Sequence, residues 1–550
     1  MSNLEILSWS GSLLGVGLLS SWGLLRLWYF GRIRRLQTQV QHSNGQPLPG
    51  RDPHFLVGNL TEVYGSANRL SGYLSFHESF GKIVQIFWLW KQQISVASYT
   101  MAHHILQSRA SNYQKYPPNA LLRRLFGSSV LTSHGETWRR YRVLTQTALS
   151  PQRIPVFFAA MIAPVDTLMQ TWETELTREP KGSVAVLERD AYPDLMTLCL
   201  EMISTVAVGQ GLGVQEGNPQ AFLDNVRLVI QCSTQPQYQF ASWWQHLPLA
   251  ANRELAQAFA GIDEFLYGLI QAHRSQPTAQ TAPASPTPLL DLLLQATESV
   301  DEALPPLSDS EVRDNLLAII LNGHESAATC LALTLALLAQ HPEVMARVQA
   351  EVDRCLGTAP LSAERLQELP YLESVVQESL RLYPPMTGIQ RVSVGSDQLE
   401  GWGIPEQQVI GIALMPLHQD PEFFGADPQS FCPERYAGYS THSTDSTPKE
   451  PVRSSSGSRC PFSRLVHSGK TPTGIHWPLA FGDGPRRCLG EALAMTQMIS
   501  VLALLLHRFE FRLAPGFTPE VELGKFGLFI SMVPKNGVHL QIRLRDPHSL

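Results

Sequence analysis

Phe481-Gly-Asp-Gly-Pro-Arg-Arg-Cys488-Leu-Gly490, followed by the apolar run Glu491 to Leu506, decides the reading of this chain. One cysteine sits between a loop rich in glycine and arginine and a segment patterned as a buried helix. Glycines let backbone N–H groups approach the sulfur, and the following helix aims its N-terminus near it. Both effects favour a thiolate. A thiolate held this way serves as a nucleophile, a zinc ligand or an axial ligand to haem iron. No second Cys or His stands at zinc spacing, which argues against zinc. No His with an Asn or Asp partner is identifiable, which weakens the cysteine-protease reading.

Composition narrows the rest. A chain of 550 residues allows roughly three or four domains. It shows no internal repeat and only short linkers, so one large α-rich unit is expected. With 44% hydrophobic residues, 16% charged residues and a net charge of −6, it reads as globular. It also lacks the clustered basic surface of a nucleic-acid binder, so no nucleic-acid partner is expected. The seven cysteines (199, 232, 330, 355, 432, 460 and 488) are odd in number and form no Cys-x-x-Cys pair. That fits a reducing compartment better than a disulfide framework.

Leu4 to Phe30 is mostly apolar and long enough to span a bilayer, and Arg32, Arg34 and Arg35 follow at once. A secretory signal would carry its positive charge ahead of the apolar core and end at a small-residue cleavage site. Here Glu5 precedes the core and the arginines follow it. Residues 1–35 are therefore read as an uncleaved, single-pass membrane anchor with a basic flank. Residues 36–550 then form one catalytic domain on the cytosolic side. A helix lying flat on the lipid is the alternative, kept open by Arg26 inside the run. In the spanning topology the sequon Asn59-Leu-Thr61 lies on the wrong side of the membrane and is inert.

Further along, Ile83 to Ala97 alternates apolar and polar residues around Lys91-Gln92-Gln93, a β-hairpin pattern. Trp138 and Arg142 fall at i, i+4 on one helix face. Gly209-Gln-Gly211-Leu-Gly213 follows no strand and lacks its last glycine, so it is not a dinucleotide loop. Ser275 to Pro288 reads as a surface linker. Ser308-Asp-Ser-Glu311 is a capping box opening a long apolar helix that reaches Gln340 and stops before Pro342. Its middle carries Asn322-Gly-His-Glu-Ser326, polar groups where a core helix should have none. Burying a hydroxyl alone without a partner costs about 2–7 kcal/mol. The residues are therefore either satisfied locally, with a helix bend, or placed to move protons. Pro370 opens another helix carrying Glu378 and Arg381, and Phe431-Cys-Pro-Glu-Arg435-Tyr436 follows downstream. A Glu/Arg pair at i, i+3 is usually a surface bridge worth under about 1 kcal/mol. Residues 437–474 form a long Ser/Thr-rich polar insertion, expected to be disordered. Val533 to Val538 reads as a closing hairpin turn, with Phe529 to Met532 facing a pocket.

The pattern Phe-x-x-Gly-x-Arg-x-Cys-x-Gly resembles the haem-binding loop of the cytochrome P-450 family, and the other motifs stand in that family's order over roughly residues 45–548. The resemblance implies a mainly α fold with small β-sheets, preceded by the N-terminal transmembrane helix. It implies haem b (iron protoporphyrin IX) with Cys488 as the axial iron ligand, where a thiolate pushes electron density into the iron. Phe481 and Gly482 would shape the loop, while Trp138, Arg142, Arg391 and Arg486 would hold the two propionates. Glu378, Arg381 and Arg435 would form a planar network behind the haem. Glu325 and Ser326 match the acid–alcohol pair of the central helix and would deliver protons on its distal side. Two positions depart from the family pattern: Ser326 stands for the usual Thr, and Asn322 for Ala or Gly. The implied activity is a monooxygenase inserting one atom of O2 into a lipophilic small molecule. Electrons would come from a separate protein, a diflavin reductase or a ferredoxin, and membrane lipid would be a further partner. The alternatives are a haem-thiolate isomerase or dehydratase acting on a peroxide, for which Asn322 leaves room, and a non-enzymatic haem protein that binds gas.

Overall fold

The structure, a computed structural model, describes residues 22–64, 69–178, 185–212, 219–275, 287–298, 306–357, 359–436, 478–523 and 532–545. The first 21 residues, most of the 275–288 linker, the 437–474 insertion and Phe529 to Ser531 lie outside the described residues. Twelve short strands are described. They are β1 (Ile83–Trp88), β2 (Lys91–Val96), β3 (Tyr113–Lys115), β4 (Leu187–Asp190), β5 (Gly388–Ser393), β6 (Asp397–Leu399), β7 (Trp402–Ile404), β8 (Val409–Ala413), β9 (Phe509–Leu513), β10 (Val521–Leu523), β11 (Met532–Pro534) and β12 (His539–Leu544). The helices that bear on the site are α1 (22–39), α2 (Gly135–Ala148), α3 (Ala191–Val208), α4 (Asp309–Gln340), α5 (Pro370–Leu382) and α6 (Glu491–Arg508). The chain divides into two compact units, Met1–Tyr116 with Ile389–Leu417 and Pro117–Gly388 with His418–Leu550.

The first unit is built on a five-stranded sheet in the order β1-β2-β8-β5-β3. β1 and β2 pair antiparallel with Ile83 opposite Val96, and β2 runs parallel to β8. The β1–β2 turn falls at Leu89 and Trp90, with Leu89 at φ 57°, ahead of the Lys91–Gln93 turn that the alternation predicts. The reason is that the glutamines are buried and paired inside the sheet. Gln92 Nε2 donates to Gln85 Oε1 at 2.9 Å, and Gln93 Oε1 accepts from Trp88 Nε1 at 2.8 Å. A polar side chain satisfied in this way does not mark a turn. Asn59 is fully buried, and its Oδ1 accepts the Phe87 N–H at 2.8 Å. Burial alone therefore closes that sequon to glycosylation, whatever the membrane topology.

Helix α1 belongs to this same unit. Tyr29 and Ile33 are buried with Phe87, and the Tyr29 hydroxyl donates to the His54 carbonyl at 2.7 Å. The outer face leaves Trp22, Leu24, Leu27 and Trp28 more than half exposed, an apolar strip suited to lipid. A boundary at residue 35 therefore cuts through a helix that is part of the folded body. Removal of residues 1–21 is expected to leave stability unchanged. Removal of 1–35 takes away two core side chains and is expected to cost about 5 kcal/mol or more, by the usual penalty for large-to-small core changes. Thermal melts of the two truncated proteins check this.

The second unit holds the long helix. Ser308 Oγ accepts the Glu311 N–H while Glu311 Oε2 accepts the Ser308 N–H at 2.7 Å, the expected capping box. Val312 to Leu321 and Ala327 to Leu338 are buried without a break, so α4 runs through the core. α3 lies close against it. A Cβ on Gly323 would come within 2.6 Å of Ile203 Cγ1, so only glycine admits this approach. β12 pairs with both β4 and β9, whereas β11 pairs with β10. Val533 to Val538 thus links two sheets and is not a hairpin: Asp190 accepts the Val538 N–H at 2.8 Å and draws the chain toward β4. Five cysteines (199, 232, 330, 355 and 488) are free thiols.

Candidate functional site

The cysteine loop is locked from within. Leu479–Phe481 is a single tight turn closed by Gly482 N–H onto the Leu479 carbonyl at 2.8 Å. Gly482 then adopts φ 70°, ψ −169°, a conformation open only to glycine. Asp483 accepts the Gly484 N–H at 2.7 Å, and the Cys488 N–H returns to the Phe481 carbonyl at 2.8 Å. Arg487 grips Glu491 on the first turn of α6 with two bonds of 2.5 Å, tying loop to helix. These contacts fix the sulfur before any ligand arrives.

Cys488 is exposed by surface area, yet protein crowds it closely enough for desolvation to push its thiol pKa up. The two observations agree if the sulfur faces an enclosed space, cut off from bulk water. The Gly490 N–H and the charges of Arg142 and Arg487 pull the other way, as the loop composition predicts, but burial outweighs them. The free group is therefore a thiol, a poor resting nucleophile that metal coordination would deprotonate. Among the described residues no cluster of three or more His, Cys, Asp or Glu could hold a metal, so Cys488 offers a single protein ligand.

Trp138 and Arg142 on α2 meet this loop. The Arg486 guanidinium lies over the Trp138 ring, 4.1 Å from its centroid, and donates to the Ser133 carbonyl at 2.7 Å. Arg142 Nη1 donates to the Arg487 carbonyl at 2.6 Å, and desolvation holds its pKa below the usual arginine value. Neither Arg142 nor the Trp138 indole N–H has a carboxylate partner among the described residues. Arg391 is on β5 in the first unit. It is buried, its guanidinium makes one hydrogen bond among the described residues, Nη1 to the Gln390 carbonyl at 2.9 Å, and desolvation lowers its pKa to about 10. A buried cation such as Arg391, or a half-buried one such as Arg142, is costly without an anion and suits a ligand that brings its own carboxylates. A haem, with two propionates and an iron needing one axial donor, fits the donor set that Cys488, Arg142, Arg486 and Trp138 form within the second unit.

The middle of α4 is the second feature. Between its two buried stretches, Asn322 is exposed and Gly323 to Ser326 are half-buried, so this turn is accessible where the rest of the helix is closed. Three of its polar side chains bond back to the preceding turn: Asn322 Nδ2 to the Ala318 carbonyl at 2.6 Å, His324 Nδ1 to Ile320 at 3.0 Å, and Ser326 Oγ to Asn322 at 3.1 Å. Local satisfaction accounts for those three. Glu325 is different. It has no hydrogen-bond partner among the described residues, and desolvation raises its pKa from 4.5 to about 7. A carboxyl poised near neutrality can both give and take a proton.

That shift has a pH signature. Between pH 4.5 and about 7 the unfolded chain ionises at this position while the folded chain does not, so stability falls as pH rises through the window. The loss is at most about 3 kcal/mol before solvent screening of a half-buried group. Glu325→Gln is expected to remove it. The gap in melting temperature between pH 4.5 and 8 should then shrink, with the benefit confined to the higher pH.

Behind the loop, Glu378 and Arg381 on α5 and Arg435 form the network their order predicts. Arg381 Nε and Nη2 each lie 2.7 Å from a Glu378 oxygen, and Arg435 Nε is 3.2 Å from Oε1. Carbonyls take most of the remaining donors, Arg381 by His418, Pro428 and Ser430 and Arg435 by Phe424 and Asp427, and Arg435 also donates to the Ser430 hydroxyl. His418, which no motif signalled, is fully buried between this network and Leu479. A second group without a motif clamps the loop that precedes α2. Asp314 accepts the Ser128 N–H at 2.7 Å and Asn315 the Val130 N–H at 2.8 Å, both from the first turns of α4.

Comparison with known proteins agrees with this geometry. The family model described as Cytochrome P-450 matches residues 47–540. Cytochrome P-450 734A1 of Arabidopsis thaliana is 25% identical, covering 96% of this chain and 95% of its own length. Cytochrome P-450 4d2 of Drosophila melanogaster is 26% identical over 96% and 99%. The cyclooctat-9-en-7-ol 5-monooxygenase of Streptomyces melanosporofaciens is 28% identical over 72% and 75%. A crystal structure of another cytochrome P-450 superposes with a TM-score of 0.71 at 21% identity, covering 90% of this chain and all of that one, a likeness of fold. With the family model matched across nearly the whole length, this chain belongs to the cytochrome P-450 family.

Proposed function

We propose that this protein is a membrane-associated haem-thiolate monooxygenase in which Cys488 is the axial ligand. Members of the family carry haem b and work with O2, an organic substrate and an electron-donor partner. The observation that carries the reading is the accessible Cys488 sulfur, held in place by the backbone bonds of its loop. Arg142, Arg391, Arg486 and Trp138 are read as propionate partners, and the Glu378–Arg381–Arg435 network as the rigid backing of the loop. When bound, the haem iron supplies the activation of O2. The chain's own contribution is to orient, to exclude water and to move protons. Glu325 holds a proton near neutral pH, and Ser326 Oγ, whose own hydrogen is committed to the Asn322 carbonyl, has lone pairs free to accept one from water or donor. Apolar Ala318, Ile319 and Leu321 on the turn before Asn322 favour a lipophilic substrate. The electron donor is taken to be a separate diflavin reductase or ferredoxin. The exposed apolar face of α1 supports membrane association, and the apolar run with Arg32, Arg34 and Arg35 behind it is read as a single-pass anchor with a cytosolic catalytic body.

A positioned proton donor contributes about 10²–10⁴-fold to rate, and water replaces part of that when it is removed. Ser326→Ala is therefore expected to bind haem and consume O2 while yielding at least about tenfold less product per electron, the balance appearing as hydrogen peroxide. Ser326→Thr keeps the hydroxyl and should hold coupling. Product, peroxide and donor oxidation measured in the same reactions decide this. Unchanged coupling in Ser326→Ala would assign the protons to ordered water. The accessible Asn322 amide is the feature that favours the isomerase or dehydratase reading. That reading predicts turnover without external electrons and loss of activity in Asn322→Ala.

A further inference from the structure

We infer that His418 is a positioning residue that transmits the rigidity of the Glu378–Arg381–Arg435 network to the cysteine loop and so sets the orientation of the Cys488 sulfur. The inference rests on Cys488 being the axial ligand. Its basis is a chain of direct bonds between fully buried residues. Arg381 Nη1 donates to the His418 carbonyl at 2.8 Å, and the His418 ring is 3.1 Å from the Arg381 carbonyl through Nδ1. Its other nitrogen, Nε2, is 3.1 Å from the Leu479 N–H. A backbone N–H can only donate, so Nε2 must be the acceptor. Nδ1 then carries the hydrogen and gives it to Arg381, which fixes the tautomer from the partners alone.

Leu479 is fully buried and opens the turn that ends in Gly482, and Phe481 of that turn accepts the Cys488 N–H. The Leu479 amide lies outside the bonds of that turn and of α6, and His418 is what it meets. Moving it moves the carbonyl to which the cysteine N–H is tied. Ionisation does not switch this contact within any ordinary range. Burial first, and the Arg381 charge second, push the imidazole pKa down to about 3, and an added proton would place two donors face to face at Leu479. His418 therefore acts as a fixed spacer with one donor and one acceptor on opposite sides of a flat ring.

Two side chains separate those functions. In His418→Gln the amide oxygen falls near the position of Nε2 and can still accept from Leu479. In His418→Asn the amide nitrogen falls near Nδ1 and can still donate to Arg381, but nothing reaches Leu479. The readout is the ferrous–CO spectrum of the haem-loaded protein, in which the red-shifted band reports thiolate ligation and the unshifted band its loss. His418→Gln is expected to match the parent protein. His418→Asn is expected to bind haem with a roughly tenfold or larger ratio of unshifted to red-shifted form, the consequence of one buried N–H left unpaired. Amide exchange at Leu479 to Gly482 should accelerate in Asn and not in Gln. Equal spectra for Asn and Gln would overturn the inference, and so would a His418→Gln protein that does not fold. A parent protein lacking the red-shifted band would instead overturn the Cys488 assignment itself.

Discussion

Glu378→Gln is expected to leave little folded, haem-loaded protein. Glu378 and Arg381 are fully buried and Arg435 nearly so, and one carboxylate answers both guanidinium groups. Glu378 Oε1 also accepts the Cys432 N–H at 2.9 Å. Burial raises the glutamate pKa while the two arginines lower it, and the short two-pronged contact shows an ionised carboxylate. Replacing it with an amide of the same shape keeps the volume and removes the charge, leaving two buried cations uncompensated. Breaking a buried pair from one side costs about 3–5 kcal/mol. Against a net stability of about 5–15 kcal/mol, that removes from about a fifth to the whole of the reserve. Urea unfolding followed by circular dichroism, with haem content measured alongside, checks this. A midpoint equal to that of the parent protein would show that the network is ornamental to folding. Glu378→Asp, which keeps the charge but falls short of both guanidinium groups, should lie between the two.

How much of this was legible beforehand depends on how local the information was. The Cys488 loop, the Ser308 capping box and the Glu378–Arg381 pair are written in spacings of a few residues, where glycine conformations and helix geometry leave few options. Each forms as read. His418 was invisible because its value lies in partners 37 and 61 residues away, and the segment Leu417-His-Gln-Asp420 carries no spacing of its own. The clamp formed by Asp314 and Asn315 was hidden for the same reason, since its partners lie more than a hundred positions upstream. At the N-terminus, hydropathy alone could not separate exposed Leu24 and Leu27 from buried Tyr29 and Ile33, because all four are apolar enough for either setting. The sheet residue Phe87 decides which of them belong to the body. Gln92 and Gln93 misled in the opposite sense, since a buried amide with a partner looks in sequence like a turn. The environment of Cys488 was legible in its parts but not in its sum. The glycine N–H and the arginines were foreseen, and the desolvation that outweighs them depends on the whole fold.

That sum makes the replacement of Cys488 the most direct test of the haem-thiolate reading. In Cys488→Ser the side chain keeps its place in a loop whose other bonds, from Gly482 to Arg487, do not involve the sulfur. What changes is the donor. A desolvating site that already pushes a thiol pKa up disfavours the anion of an alcohol far more, since serine starts from a much higher pKa. Oxygen also lacks the soft, electron-rich character that a thiolate lends to iron. The red-shifted ferrous–CO band should therefore vanish completely in Cys488→Ser and monooxygenase activity with it. Some haem should still bind through Arg142, Arg391, Arg486 and Trp138. Cys199, Cys232, Cys330 and Cys355 are buried thiols whose pKa burial pushes up, without the Arg142 and Arg487 charges that adjoin Cys488. Replacing any one of them with Ala should leave the band in place. A red-shifted band that survives in Cys488→Ser would mean that another residue holds the iron, and the loop would then need a different role.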